Sequence, residues 1–545
     1  MMDCLKLIRP FLDGVEKPQR YLGDELHQVK KDWQTVKCRF LFGFPDVYEV
    51  GMSHLGMHIL YEAVNRDPDL LMERAFSPWR DMETVMAREG IPIYGLESGR
   101  PARDFDCIGF TLQHEMSYTN VLQMLKLAGF PLWAEERMGG EPLIIAGGPC
   151  TANPEPLAPF LDAIALGEGE ELLPALLSVI GAHKEKNSGR VDKQCLLEEL
   201  AALPGVYVPS RKGAKVRNAR LGSLEDAIFP LSPTIPYIEA VHDRMMLEIL
   251  RGCTRGCRFC QAGMIYRPVR ERGKATLLAQ AKALRDNTGH REISLTSLSS
   301  SDHTCIKEIV EELSAEFFKD RISISLPSLR ANHFSVALAE EIQKVRKTGL
   351  TFAPEAGSQR MRDVINKGVS EEELLSTVAK AVKAGWQQIK LYFMIGLPGE
   401  TMEDIDAIAS LCQKVVHAGN QAMKEQGRKG GLKVNCSVSN FVPKAQTPFQ
   451  WQGQDSQEEL KSKQIRLKQL IRDRRITYSY HDAFTSMLEA IFTRGGRELA
   501  PVLAAAAEKG CRFDSWTEEL RRDGWREAFE EAGMDMEGLA AACFD

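Results

Sequence analysis

The sequence has no apolar run of about 18 residues, the length a membrane-spanning helix needs, and its first residues, MMDCLKLIRPFLDG, hold no secretory hydrophobic region or cleavage site. It has little imbalance of charge. Its 69 Lys and Arg against 75 Asp and Glu leave a net −6, so no global field calls for nucleic acid or an anionic membrane. Internal repeats and long low-complexity tracts are absent too. Thirteen cysteines, an odd number, are scattered singly apart from one cluster, which excludes a disulfide framework and predicts a reduced, cytoplasmic chain with no membrane partner. At 545 residues and 44% apolar composition, the length predicts about three to four globular domains.

What is present centres on MMLEILRGCTRGCRFC (245–260), an apolar run that opens into a loop carrying Cys253, Cys257 and Cys260. Such a CxxxCxxC triple has a chance expectation of about 0.007 in a chain with this many cysteines, so incidental spacing is a poor account of it. Zinc would want a fourth protein ligand, and His242, His290 and Cys305 lie off any usual spacing. Three thiolates instead suit a 4Fe-4S cubane with one iron left for a non-protein ligand.

The loop, with Phe259 before its last cysteine, resembles the signature of the radical S-adenosylmethionine (SAM) superfamily. The resemblance implies that the open iron is chelated by the amino and carboxylate groups of SAM. From 246 to about 449 a strand and helix pattern recurs six times, with strands at 246–250, 292–297, 321–326, 350–353, 389–395 and 433–438. Six units are too few for a closed eight-stranded barrel and match the partial barrel of that superfamily. Ser370 and Glu373 form a capping box for one of the intervening helices.

By the barrel rule, chemistry belongs at the carboxyl ends of these strands. After the second stands Ser299 to Asp302, where many relatives have a Gly-Gly-Glu stretch on the SAM amino group. After the third, Arg330 is placed to meet the SAM carboxylate. After the fourth, Glu355 and Ser358 of PEAGS resemble residues that bond the SAM ribose and carboxylate. After the fifth, Gly396 and Pro398 of GLPGET resemble the turn beside the adenine, with Thr401 reading equally well as a helix N-cap.

Ahead of the barrel, residues 36–180 alternate short apolar runs, among them 38–45, 70–76, 91–97, 106–112, 142–148 and 162–170, with helical stretches such as 51–64. Strands of this kind predict a doubly wound, Rossmann-like parallel sheet. GGPCTANPEPL followed by ALGEGEE is similar to the cobalamin-binding domain of many radical SAM enzymes, and cobalamin is therefore a candidate third cofactor. The DxHxxG motif is missing, and His54 is not expected to ligate cobalt. Glycines at the strand ends are expected to let backbone approach a ligand.

Residues 1–35 read as a surface arm, 181–235 as a linker, 236–450 as the barrel and 451–545 as a mainly helical region. The basic run at 460–475 reads as a solvated helix before it reads as an RNA site. The last region resembles that of an uncharacterised bacterial radical SAM group. The expectation is an enzyme that reductively cleaves SAM, supplied with electrons by a flavodoxin or ferredoxin, with cobalamin-dependent methyl transfer as its reaction. The alternatives are a methylthiotransferase modifying tRNA or a ribosomal protein, which would need three further front-domain cysteines, and an RNA-binding or scaffold protein with a structural cluster.

Overall fold

A computed structural model describes residues 2–137, 139–211, 213, 215–327 and 350–543. The chain divides into two compact units, one of residues 1–222, 226–243 and 495–534, the other of 223–225, 244–494 and 535–545. No described helix is long and apolar enough to cross a membrane.

The first unit is built on six strands: β1 Cys38–Phe44, β2 Leu70–Phe76, β3 Cys107–Thr111, β4 Leu143–Gly147, β5 Ala163–Ala165 and β6 Val206–Tyr207. Their order is β2-β1-β3-β4-β5-β6, parallel except for β6. The strands are buried on both faces and rich in Phe, Leu, Ile and Ala, as a parallel sheet between helices requires. Order reverses between β1 and β3, which makes their carboxyl ends the switch point where such folds take ligands. The run at 91–97 is buried but forms no strand, only a single bridge from Tyr94 to Pro101. The helix expected over 51–64 begins at Leu55, because the His54 side chain caps it.

The first residues are not a loose arm. Arg74, fully buried on β2, is gripped between Glu25 at 2.9 Å and Glu97 at 2.6 Å, and Tyr48 donates to Glu25. A buried cation must be paired to be tolerated, so Glu25 ties this segment to the sheet. Residues 495–534, expected to belong with a helical carboxyl-terminal region, group with the first unit through Arg497 to Glu155 at 2.7 Å and Thr119 to Asp514 at 2.7 Å.

The second unit holds a three-stranded sheet of β7 Met245–Glu248, β10 Glu292–Thr296 and β11 Ser323–Ser325. A four-stranded sheet follows, of β12 Leu350–Glu355, β13 Gln388–Ile395, β14 Lys433–Asn440 and β15 Ile476–Tyr480. All seven strands pair in parallel. A short antiparallel pair, β8 Leu250–Arg251 and β9 Arg270–Glu271, brackets the cysteine loop. β15 is a strand the sequence reading placed among helices. The Ser370 capping box is present, with both of its reciprocal hydrogen bonds.

Candidate functional site

The cysteine loop leaves β8 through Gly252, whose φ is +91°. A Cβ there would sit 2.7 Å from the Tyr266 carbonyl oxygen, so glycine alone allows the loop to fold back on itself. Cys257 is buried and Cys253 and Cys260 are half-buried. Cys260 N–H donates to the Cys257 carbonyl at 3.1 Å, and Gly263 N–H donates to Cys260 Sγ at 3.3 Å. Burial pushes the Cys260 thiol above its ordinary pKa; the Gly263 hydrogen bond opposes this, Cys257 and Cys253 add to it, and Lys367 pulls against it. With no fourth cysteine in the loop, the set leaves a coordination position for a non-protein ligand.

A tab of chain after β12 clamps this loop. Arg258 N–H donates to the Ile365 carbonyl at 3.0 Å, the Arg258 guanidinium reaches Val364, and Asn366 Nδ2 donates to the Gly256 carbonyl at 3.0 Å. Beneath it Ala356, Met361, Ile365, Leu397 and Phe441 form a buried cluster against which Phe259 packs. One apolar knot therefore joins the cysteine loop to the loops after β12, β13 and β14. From the other side Arg255, between the first two cysteines, is held by Asp302 through both carboxylate oxygens, with Nε to Oδ2 at 2.9 Å. Asp302 is thus committed to the loop, and the neighbouring Ser299 hydroxyl is buried with no hydrogen-bond partner among the described residues.

Glu355 ends β12 with φ +66°, a backbone state that costs a non-glycine residue about 1–3 kcal/mol and clusters at ligand sites. The β12 to β13 register slips just before it, and such a bulge re-aims a side chain. Its Oε1 accepts from Lys367 Nζ at 3.0 Å. Ser358 has a different commitment: its hydroxyl accepts from Met361 N–H at 3.1 Å and donates to Asp404 Oδ1 at 2.6 Å. Asp404 also accepts from Thr401 N–H at 2.9 Å, from the Thr401 hydroxyl at 3.1 Å and from Arg360. Thr401 is accordingly a helix N-cap. Gly396, at φ +78°, donates its N–H to Glu400 Oε2 at 2.7 Å, and Lys463 closes on the same oxygen at 2.9 Å. Pro398 stands half-exposed on that turn. Arg330 lies outside the described residues.

Lys367 and Asp404 were missed by sequence reasoning. Both act through partners far away in the chain, a signal that neither periodicity nor spacing carries. The basic helix, Gln457–Leu470, buries Leu460, Gln464 and Leu467, while Ile465, expected on its apolar stripe, is 56% exposed. Its Lys463 and Arg466 are spent on Glu400 and Asp406.

At the switch point of the first unit, the strand-end glycines face their own chain. A Cβ on Gly43 would meet the Phe110 ring at 2.6 Å, on Gly148 the Leu112 carbonyl oxygen at 2.8 Å, and on Gly167 that of Ala219 at 2.3 Å. These three serve chain packing where a ligand cradle was expected, whereas a Cβ on Gly147 would find its nearest atom, the Ala165 carbonyl oxygen, 3.5 Å away. Asn120 Nδ2 donates to the Pro45 carbonyl, Trp516 Nε1 donates to Asp46 Oδ1, and the Trp79 ring meets Phe513 at a tilt and Trp516 edge-on. Beside them His54 Nδ1 accepts from Met57 N–H, its ring is further held by Gln113, and His114 Nδ1 accepts from Met116 N–H.

Two family models match the chain in succession, "Radical SAM proteins, N-terminal" over residues 56–209 and "Radical SAM superfamily" over residues 247–412. An uncharacterized protein of Methanocaldococcus jannaschii is 27% identical over 494 residues, 90% of this chain and 96% of that one. Among solved structures, the radical SAM methyltransferase TsrM of Kitasatospora setae, with cobalamin and a [4Fe-4S] cluster bound, superposes with a TM-score of 0.54. It is 13% identical, over 90% of this chain and 99% of TsrM. The cobalamin-dependent SAM radical enzyme OxsB gives 0.52 at 11% identity, over 92% of this chain and 75% of OxsB. These likenesses show the fold. With two of its domain models matched in order, this chain belongs to the radical SAM superfamily and is an enzyme of that class.

Proposed function

We propose that Cys253, Cys257 and Cys260 hold the 4Fe-4S cluster and that SAM lies across the carboxyl ends of β12 and β13. When bound, this pair supplies reductive cleavage of SAM to a carbon-centred radical, and the protein contributes ligation, orientation and exclusion of water. Glu355 carries the proposal furthest. It is a strained carboxylate at a strand end, its Oε1 on Lys367 and the same lysine acting on Cys260. Glu355 and the Gly396 to Pro398 turn face SAM in this reading. Ser358 holds the loop that carries Glu355, and Arg330 remains the proposed carboxylate partner. The inter-loop apolar knot around Phe259 anchors the cysteine loop to the loops that would hold SAM.

The proposed reaction is cobalamin-dependent methyl transfer. The first unit has a doubly wound sheet whose switch point is lined by Trp79, Phe513 and Trp516, and with His54 Nδ1 committed to Met57 N–H a corrin would be held by enclosure, without that histidine on cobalt. Methylthiotransferase chemistry would ask for three gathered cysteines in this unit. Cys4, Cys38, Cys107 and Cys150 are buried, Cys195 is exposed, and the five stand dispersed along the sequence. A flavodoxin or ferredoxin is the proposed donor and the cytoplasm the proposed compartment, supported by thirteen unpaired cysteines. The test is to mix the protein with hydroxocobalamin, reduce it, and record the paramagnetic resonance of cob(II)alamin. Binding without nitrogen splitting supports the proposal. Failure to bind removes cobalamin and leaves a SAM-cleaving enzyme.

A further inference from the structure

Both faces of a parallel sheet are ordinarily covered, and the inner face of a barrel is filled with branched apolar side chains. The four-stranded sheet departs from this on one face. Ile389, Leu391, Phe393 and Ile395 of β13 are buried, whereas the alternate residues Lys390, Tyr392 and Met394 stay accessible, Tyr392 at 37%. Register extends the difference across the sheet. Thr351, Lys390, Asn435 and Thr477 form one row, and Tyr392, Ser437 and Ser479 the next. Seven positions in two rows thus carry one ammonium, five hydroxyls and one amide, all at least partly accessible except the buried Ser437.

Lys390 is the informative member. Its Nζ lies 4.5 Å from the centroid of the Tyr392 ring, and among the described residues no carboxylate pairs with it. Elsewhere in this unit Lys367 is spent on Glu355, Arg251 on Glu248 and Arg244 on Glu292, while Lys433, one row away on the same face, is exposed. A ring face attracts an ammonium only weakly and leaves its charge unneutralised. Among the described residues the amide of Asn435 and the hydroxyl of Tyr392 have no hydrogen-bond partner either.

We propose that this face binds the substrate and that the substrate brings an anionic group, a carboxylate or a phosphate monoester, to Lys390. A planar portion lies on the Tyr392 ring, and Asn435 and Thr477 take its hydrogen-bonding edge. The inference rests on the function proposed above: the same strands run on to Glu355 and Gly396, so a substrate seated on Lys390, six residues before Gly396, has to extend along the sheet toward SAM at the carboxyl ends. A basic side chain that is merely solvated is the competing account.

The experiment uses the full chain with three probes: phenyl phosphate, benzoate and neutral benzyl alcohol. Acetylation of Lys390 is followed by mass spectrometry, with the exposed Lys433 on the same face as internal control. Either anion should slow acetylation of Lys390 several-fold and leave Lys433 unchanged, and benzyl alcohol should protect neither. The better protector of the two anions assigns the substrate as a phosphate ester or a carboxylic acid. Lys390→Gln should weaken binding of that anion about tenfold or more, and Tyr392→Leu several-fold, with an unchanged melting temperature reporting that each variant is folded. Equal protection by benzyl alcohol, no protection by either anion at millimolar concentration, or undiminished binding to Lys390→Gln overturns the proposal. None of these readouts needs iron or SAM cleavage, so their failure leaves the cluster assignment standing, and failure of SAM cleavage leaves them interpretable.

Discussion

Replacing Asp404 by Ala should loosen two SAM-facing loops with one change. Its carboxylate, 6% exposed, takes hydrogen bonds from Ser358 after β12, from Thr401 after β13 and from Arg360. A hydrogen bond to a charged acceptor contributes about 1.5–3 kcal/mol, and the Arg360 contribution is discounted because that side chain is half exposed. Two such bonds, not fully additive, put the local loss at about 3 kcal/mol. If half of this reaches the ligand, SAM affinity falls about tenfold. Iron content should stay at the wild-type value, since Asp404 touches no cysteine. A double-mutant cycle with Ser358→Ala, read by calorimetric titration of the cluster-bearing protein with SAM, should return a coupling of about 1–2 kcal/mol. Desolvation raises the Asp404 pKa, but the hydrogen bonds from Ser358, Arg360 and Thr401 outweigh it and hold it below the usual carboxylate value. Its stabilising contribution is therefore complete above the unfolded-state value near about 4 and disappears as the pH drops through the lower folded-state value. Unchanged SAM affinity in Asp404→Ala, or zero coupling to Ser358, would refute the idea that this carboxylate ties the loops together.

Cys253→Ala, Cys257→Ala and Cys260→Ala should each abolish the cluster absorbance of the reconstituted protein, whereas Cys305→Ala and Cys412→Ala should keep about four irons per chain. Lys367→Met leaves Glu355 without its cation and should weaken SAM about tenfold with iron retained, as checked by the same titration. Asp514 is buried against Thr119 and Trp525, and burial raises its pKa to about 6. The folded state then keeps a proton that the unfolded state releases, so the first unit should lose about 2 kcal/mol of stability between pH 4 and pH 6. Asp514→Asn should flatten that slope in a melting series and be the more stable protein at pH 7; an unchanged slope would place the ionisation elsewhere.

The sequence carried the strands through their buried apolar runs and the cysteine loop through its spacing, because both are local signals. The Ser370 capping box was legible for the same reason. β15 was not, since ITYSY is five residues long and only its first, Ile476, is buried. The buried run at 91–97 misled in the opposite sense: burial marks a core and does not by itself make a ladder of hydrogen bonds. Residues such as Asp404, Lys367 and Glu25 draw their roles from partners brought close by folding. Glycines could be recognised as points of close approach, but whether ligand or chain does the approaching depends on a neighbour such as Ala219 opposite Gly167.

The central claim is that the three-cysteine loop and the strand ends of the second unit support reductive cleavage of SAM. The most direct measurement is to reconstitute the full chain with iron and sulfide under anaerobic conditions, reduce it with dithionite, add SAM and quantify 5′-deoxyadenosine by liquid chromatography. The account predicts 5′-deoxyadenosine from the wild-type protein and none from Cys257→Ala. Wild-type protein that holds its iron yet forms no 5′-deoxyadenosine, or equal formation by Cys257→Ala, would contradict it.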